Sequence, residues 1–202
     1  MDLCLPDNEV ILCGTCLEEP VYSHAARSQS FYTLPLLVRR LSGAADTVNV
    51  TIRETMLGTA ERGTRLYVTG EVRTFNNRSG EWPRLVISVF ARTLAPTEEA
   101  DENRVRLRGA LCKSPNLRTT PMGREICDLI LAVNRRYGRS DYLPCICWGS
   151  KAREAALWEV GTRLLLEGRI QSRRYSKLTE NGSEERTAYE ISAAQIDPIC
   201  MP

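Results

Sequence analysis

Four aromatic residues in the second half of this chain sit among cations. Tyr137 follows Arg135 and Arg136, Trp148 precedes Lys151, and Tyr175 lies between Arg173, Arg174 and Lys177; Tyr142 falls between the first two groups. Flat ring faces can carry stacked planar bases, and Arg or Lys beside them can neutralise a phosphate backbone. Arg104, Arg106 and Arg108 alternate with Val105 and Leu107, so a strand there sets three guanidinium groups along one face. Residue types in this pattern suit sequence-tolerant holding of a single-stranded polyanion, with each stacked base contributing roughly 1–3 kcal/mol. The competing reading is that aromatics at strand ends are rim residues of a core. Trp148 could pack beneath a helix, and Trp158, beside Ala155 and Val160, reads as core.

Residues for other chemistry are scarce. The chain has one histidine, His24, in a polar segment, Ser23–Arg27, that reads as a loop. No phosphate-cradling GxxxxGK[ST] and no paired His or carboxylate motif is present. The acids are scattered or linker-borne, so no nuclease-type metal cluster is expected. The reading is a non-enzyme without cofactor or metal. Among eight cysteines, Cys13 and Cys16 form a CxxC and Cys145 and Cys147 a CxC. The latter pair alternates with Ile146 inside one apolar run, so both thiols face one side of a sheet, unlike the turn-borne knuckles of a zinc site. Buried, reduced thiols are expected.

The elements that position these residues come in two copies. At an offset of 95, Asn8, Val10, Leu12, Gly14 and Pro20 match Asn103, Val105, Leu107, Gly109 and Pro115. Leu34, Leu36, Val38, Arg40 and Gly43 match Leu129, Leu131, Val133, Arg135 and Gly138 at the same offset. The offset slips to 98 at Gly63–Leu66 against Gly161–Leu164 and at Gly70 against Gly168, then to 104 at Ile87-Ser88 against Ile191-Ser192. Ordered matches with slips at loops indicate a tandem duplication.

The second copy reads as strands at Val105–Arg108, Ile126–Val133 and Tyr142–Trp148, a helix at Lys151–Val160 capped by Ser150 and stopped by Gly161, then strands at Thr162–Arg174 and Thr187–Ala194. Ser114–Asn116 and Pro121–Gly123 read as turns, and Leu178–Glu185 as a polar loop with a turn at Asn181-Gly182. Three strands, a helix and two strands is the order of the OB-fold, a five-stranded Greek-key barrel. The expected fold is therefore all-β, two tandem OB barrels with one short helix each. In the first copy the helix falls on Glu54–Arg62 and is expected to be short, with Gly58 near its middle. The expected domains are residues 1–96 and 103–202, joined by an acidic linker at 97–102.

The second copy resembles bacterial single-stranded DNA-binding proteins. The stretches that carry the resemblance are NRVRLRGALCKSPNLRTTPMG, LILAVNRRYG, DYLPCICWGSKAREAALW and VGTRLLLEGRIQSRRY, across Asn103–Ile196. The first copy matches more loosely, through NEVILCG and RGTRLYVTGEV. The resemblance implies a non-catalytic binder of single-stranded DNA, in replication, recombination or repair, with little sequence preference. By it, Tyr137, Tyr142, Trp148 and Tyr175 fall where the family places stacking aromatics. Lys113, Arg118 and Arg169 fall near its backbone contacts, beside Arg104, Arg106, Arg108, Arg135, Arg136, Lys151, Arg173, Arg174 and Lys177. Sequence does not separate DNA from RNA.

The two copies diverge at these positions. The first has Ser42, Thr47, Arg53 and Asn77 where the second has Tyr137, Tyr142, Trp148 and Tyr175. Its weaker candidates are Arg39, Arg40, Arg73, Phe75 and Trp82. The first copy is therefore expected mainly to support the second or to mediate assembly. Charge agrees: residues 1–100 hold ten Arg, no Lys and 12 acids, a net −2, whereas residues 101–202 carry +4. An alternative is a primosome-like protein-interaction scaffold with weak nucleic-acid binding.

Family members commonly gather four OB domains, so the resemblance implies a homodimer of this two-copy chain. No apolar run reaches 18 residues and no basic–apolar leader opens the chain, so no membrane span and a cytoplasmic, nucleoid-associated location are expected. Typical relatives end in a flexible tail with an acidic tip that recruits repair enzymes. This sequence ends at Ile196–Pro202 without one, so such recruitment is not expected and a specialised role is favoured.

Overall fold

The computed structural model describes residues 7–76, 85–135, 138–179 and 182–199, except the side chains at 76, 174, 175, 177–179, 184 and 186. The first half runs β1 (Asn8–Cys16), β2 (Val21–Ala26), β3 (Gln29–Arg39), β4 (Ala45–Arg53), a 3-10 turn (Glu54–Thr59), β5 (Arg65–Asn76) and β6 (Leu85–Pro96). The second half runs β7 (Glu102–Leu111), β8 (Asn116–Thr119), β9 (Glu125–Asn134), β10 (Ser140–Trp148), α1 (Ser150–Ala155), β11 (Arg163–Thr179) and β12 (Gly182–Pro198). Two compact units form. One comprises Val10–Asn103 with Ile170–Tyr189; the other comprises Met1–Glu9, Arg104–Arg169 and Glu190–Pro202.

In the first unit β1 pairs antiparallel with β3 and β5, β3 with β4, and β5 with β6. A parallel pairing of β4 with β6 completes the circuit. In the second unit β7 pairs with β9 and β11, β9 with β10, β10 runs parallel to β12, and β12 neighbours β11. Each circuit is a closed five-stranded barrel, which leaves its five strands no free edge.

Alternation places the core. Val10 and Leu12, Leu34, Leu36 and Val38, Val48 and Val50, and Leu66 and Val68 are buried in the first unit. Val105 and Leu107, Leu129, Leu131 and Val133, Leu143 and Cys145, and Leu164 and Leu166 repeat them in the second. Each buried Leu or Val contributes about 1.5–3 kcal/mol. The shared glycines have a steric cause. A Cβ on Gly14 or Gly109 would run into the carbonyl of Leu37 or Ala132, where the first strand crosses the second. One on Gly70 or Gly168 would meet the carbonyl of Phe90 or Ser192.

Several elements differ from the sequence reading. The helix covers Ser150–Ala155, not Lys151–Val160, and it starts from Gly149 at φ 62° without a side-chain cap. Ala152 and Ala155 are its buried face; past them Leu157 and Val160 are exposed, so no core rewards a further turn. Ser23–Ala26, read as loop around His24, belongs to β2, and the stretch between the two expected turns contains β8, which pairs with β9 from Asn116↔Asp128 to Thr119↔Glu125. The expected loop at Leu178–Glu185 is largely strand, with β11 reaching Thr179 and β12 resuming at Gly182. Hairpin pairing satisfies the backbone and needs no apolar side chains to continue. The acidic stretch at 97–102 is tied to the first unit. The Thr97 N–H donates to the Arg65 carbonyl (3.1 Å), and the Asp101 carboxylate accepts from the Arg39 N–H (2.5 Å) and from Arg65 (2.7 Å).

Candidate nucleic-acid interface

Along β10, Leu143, Cys145 and Cys147 point into the barrel, and Tyr142, Ile146 and Trp148 share the outer face, where Ile146 is covered and the two rings are 54% and 41% exposed. They are six positions apart, about 20 Å along the strand. Register extends this face. Trp148 lies opposite Ile126 on β9, and Ile126 lies opposite Arg118 on β8. Arg118 is thus on the same face as the indole, two strands away, about 10 Å. It is oriented by Asp128, which accepts from its Nε (2.5 Å) and Nη2 (3.0 Å).

The cations divide by environment. Val105 and Leu107 are core, so Arg104, Arg106 and Arg108 face outward as expected. Arg106 approaches Glu167 at 3.2 Å and Arg108 approaches Asp7 at 3.9 Å. Lys151 sits between Glu154 (2.8 Å) and Asp197 (3.0 Å), which raise its pKa. Lys113 and Arg173 are exposed, and Arg169 is half-buried with its Nε lacking a hydrogen-bond partner. Arg136, Tyr137 and Trp82 lie outside the described residues, as do the side chains of Arg174, Tyr175 and Lys177.

Arg135 has a structural partner. It grips the fully buried Asp141 with Nε and Nη2, the former at 2.6 Å. Arg40 grips the buried Asp46 in the same way, at 2.6 Å on both oxygens. The repeat therefore carries a bidentate Arg–Asp clamp in each copy, pinning the hairpin from the second to the third barrel strand. Sequence proximity to Tyr137 had suggested a phosphate contact for Arg135; the carboxylate six residues on supplies a different anion. Of the other first-copy candidates, Arg73 pairs with Glu71, Arg39 is exposed and Phe75 is 54% exposed.

Asp46 also holds the hairpin of β11 and β12. Its Oδ1 accepts from the Ser172 N–H (2.9 Å) and Oγ (3.3 Å). Burial alone would raise the Asp46 pKa; the bonds from Arg40 and Ser172 overcome this and hold it below the ordinary carboxylate value. Asn103 exchanges two further bonds with the Ile170 backbone, 2.8 and 3.0 Å. The segment bearing Arg173 is thus anchored one residue away, at Ser172. A lone Asp at a strand start gives no sequence signal of this role.

Sequence reasoning also missed an aromatic stack in the first unit. His24 stacks on Phe31 with centroids 5.0 Å apart and an 18° interplanar angle. Phe31 meets Phe90 at 5.6 Å, and the Arg53 guanidinium lies 5.3 Å from the Phe90 centroid. On the β10 side, burial drives the Cys145 pKa up and pushes Cys147 up to about 12, so both thiols stay protonated at neutral pH. Among the described residues no group of three or more potential ligands could hold a metal ion.

Closed five-stranded barrels, with a parallel third–fifth pair and a helical turn between the third and fourth strands, are OB folds. The wild-type single-stranded DNA binding protein from Thermus aquaticus superposes with a TM-score of 0.78 over 96% of this chain and 94% of that one, at 23% identity. The sequence model of the Single-strand binding protein family matches residues 102–199. Single-stranded DNA-binding protein B of Bacillus subtilis is 38% identical over 80 residues, 36% of this chain and 71% of its own length. Single-stranded DNA-binding protein 2 of Listeria innocua is 39% identical over 80 residues, 36% of this chain and 50% of its own length. The chain thus spans about half the length of most curated relatives it matches. It belongs to the single-strand binding protein family.

Proposed function

We propose that this chain holds single-stranded DNA without catalysis and with little sequence preference, serving replication, recombination or repair. Bases stack on Tyr142 and Trp148, and cations on the same unit neutralise phosphates. The observation that carries this reading is the exposure of both rings on one outer face of β10, with Arg118 across the sheet. The names of the relatives support the same ligand class. The second repeat is the main platform, and a homodimer bringing four barrels together follows from the family's habit. The test is a titration of the full chain with oligo(dT) at two salt concentrations, following tryptophan emission. Quenching on binding, with affinity falling as salt rises, is expected from stacking and counterion release. Absence of both effects would overturn the reading.

A further inference from the structure

We propose that the first unit carries a second single-strand contact of different construction, on the outer face of β3, β4 and β6. There the stack of His24, Phe31, Phe90 and Arg53 receives bases. This rests on the reading of the chain as a single-strand binder. It revises the expectation that the first copy, lacking all four aromatics of the second, serves mainly support or assembly.

Register puts these groups on one face. Phe31 lies opposite Arg53 across β3 and β4, and Phe90 lies beside Thr51 across β4 and β6. Thr51 and Arg53 are two residues apart on one strand, so all three side chains point the same way. Ile52, between them, is buried in the barrel. His24 reaches the same face from β2, opposite Phe31. Phe31 is 9% exposed and supports the stack from beneath, whereas His24 is exposed and Arg53 and Phe90 are half-buried.

Charge separates this face from an ordinary apolar patch. In the same unit Arg40, Arg65, Arg73 and Arg92 each pair with a carboxylate. Among the described residues Arg53 has no carboxylate at ion-pair distance, and its guanidinium rests on a ring instead. A guanidinium is planar and carries in-plane donors, which suit a base on its face and a phosphate at its rim. Arg27, at the tip of the β2–β3 hairpin with φ 49°, adds a further exposed cation.

The repeat explains the substitution. At the repeat offsets Arg53 occupies the place of Trp148, Phe31 that of Ile126 and His24 that of Thr119, and strand register puts Phe90 at the place of Ser192. The second copy sets one large indole among small or aliphatic neighbours. The first sets a cation among rings. Both present a π surface at the end of the third barrel strand.

The experiment measures oligo(dT) affinity of the full chain, its Arg53→Ala, Arg53→Lys, His24→Ala and Trp148→Ala variants, and the Arg53→Ala/Trp148→Ala double variant. The oligonucleotide is long enough to reach both units, and thermal melts verify folding. Stacking of one base corresponds to roughly a 5- to 150-fold change in affinity. Arg53→Ala is expected to weaken binding about tenfold, with Arg53→Lys recovering only part because charge returns without the plane. Its effect multiplies with that of Trp148→Ala in the double variant, as for separate contacts. His24→Ala, on an exposed strand, gives an independent arm and is expected to weaken binding. If Arg53→Ala and His24→Ala bind like wild type while Trp148→Ala is weakened, this inference falls and the function stands. Full affinity in Arg53→Lys overturns base stacking at this residue. A wild-type chain that does not bind overturns both.

Discussion

Replacing Asp46 by Asn tests how the chain holds its β11–β12 hairpin. Asp46 is 1% exposed, receives two bonds of 2.6 Å from Arg40, and accepts from the Ser172 N–H and Oγ. Asn is close in volume but presents an NH2 where one of these donors points, and it leaves the half-buried Arg40 without its anion. Breaking a buried pair by removing one partner costs about 3–5 kcal/mol. Arg40 retains some solvent contact, so the lower end, about 3 kcal/mol, is expected for Asp46→Asn. Urea denaturation at pH 7 measures it. The pH dependence follows from the lowered pKa. A carboxyl whose folded pKa lies below its unfolded value of about 3.9 stabilises the fold above that value, and the contribution disappears as pH falls through the folded pKa. The stability gap between wild type and Asp46→Asn should therefore be full at pH 7 and shrink below about pH 4. A gap under about 1 kcal/mol at pH 7, typical of exposed pairs, or one unchanged in acid, would refute the reasoning.

Gly109→Ala forces a Cβ against the Ala132 carbonyl and is expected to destabilise the chain by about 1–3 kcal/mol, read as a lower thermal midpoint. An unchanged midpoint would show that the strand crossing has slack. Iodoacetamide at pH 8 should label the exposed Cys112 before the buried Cys13, Cys16, Cys127, Cys145 and Cys147, mapped by peptide mass; early labelling of Cys147 would contradict its burial and raised pKa. Lys113→Ala, at an exposed cation, should lower the salt slope of single-strand binding by about 0.7 with little change in quenching.

Much of the fold was legible because the duplication exposes it. Glycines matched between copies mark the strand crossings, and alternation at Val105–Arg108 correctly separated core from outward arginines. Tyr142 and Trp148 were less legible as outward, because the run between them is apolar at both parities and Ile146, on their side of the strand, is buried. What was not legible depends on partners distant in sequence. Arg135 and Arg40 looked like backbone contacts because nothing local in the sequence marks Asp141 and Asp46 as their buried partners. Leu178–Glu185 is polar, yet mostly strand, because cross-strand backbone bonds rather than side chains define it. The Arg53 stack joins positions 24, 31, 53 and 90, which no local period connects. Helix length failed for a related reason: propensity favoured residues 156–160, but nothing packs over Leu157.

The central claim is that exposed rings on β10 carry bases while cations carry phosphates. The most direct test compares wild type with Trp148→Ala in oligo(dT) binding across a salt series. The account predicts that the variant loses affinity by roughly 5- to 150-fold at every salt concentration, with the salt slope unchanged. Affinity equal to wild type would contradict it, because the indole would then be a rim residue of the barrel and not a platform for a base.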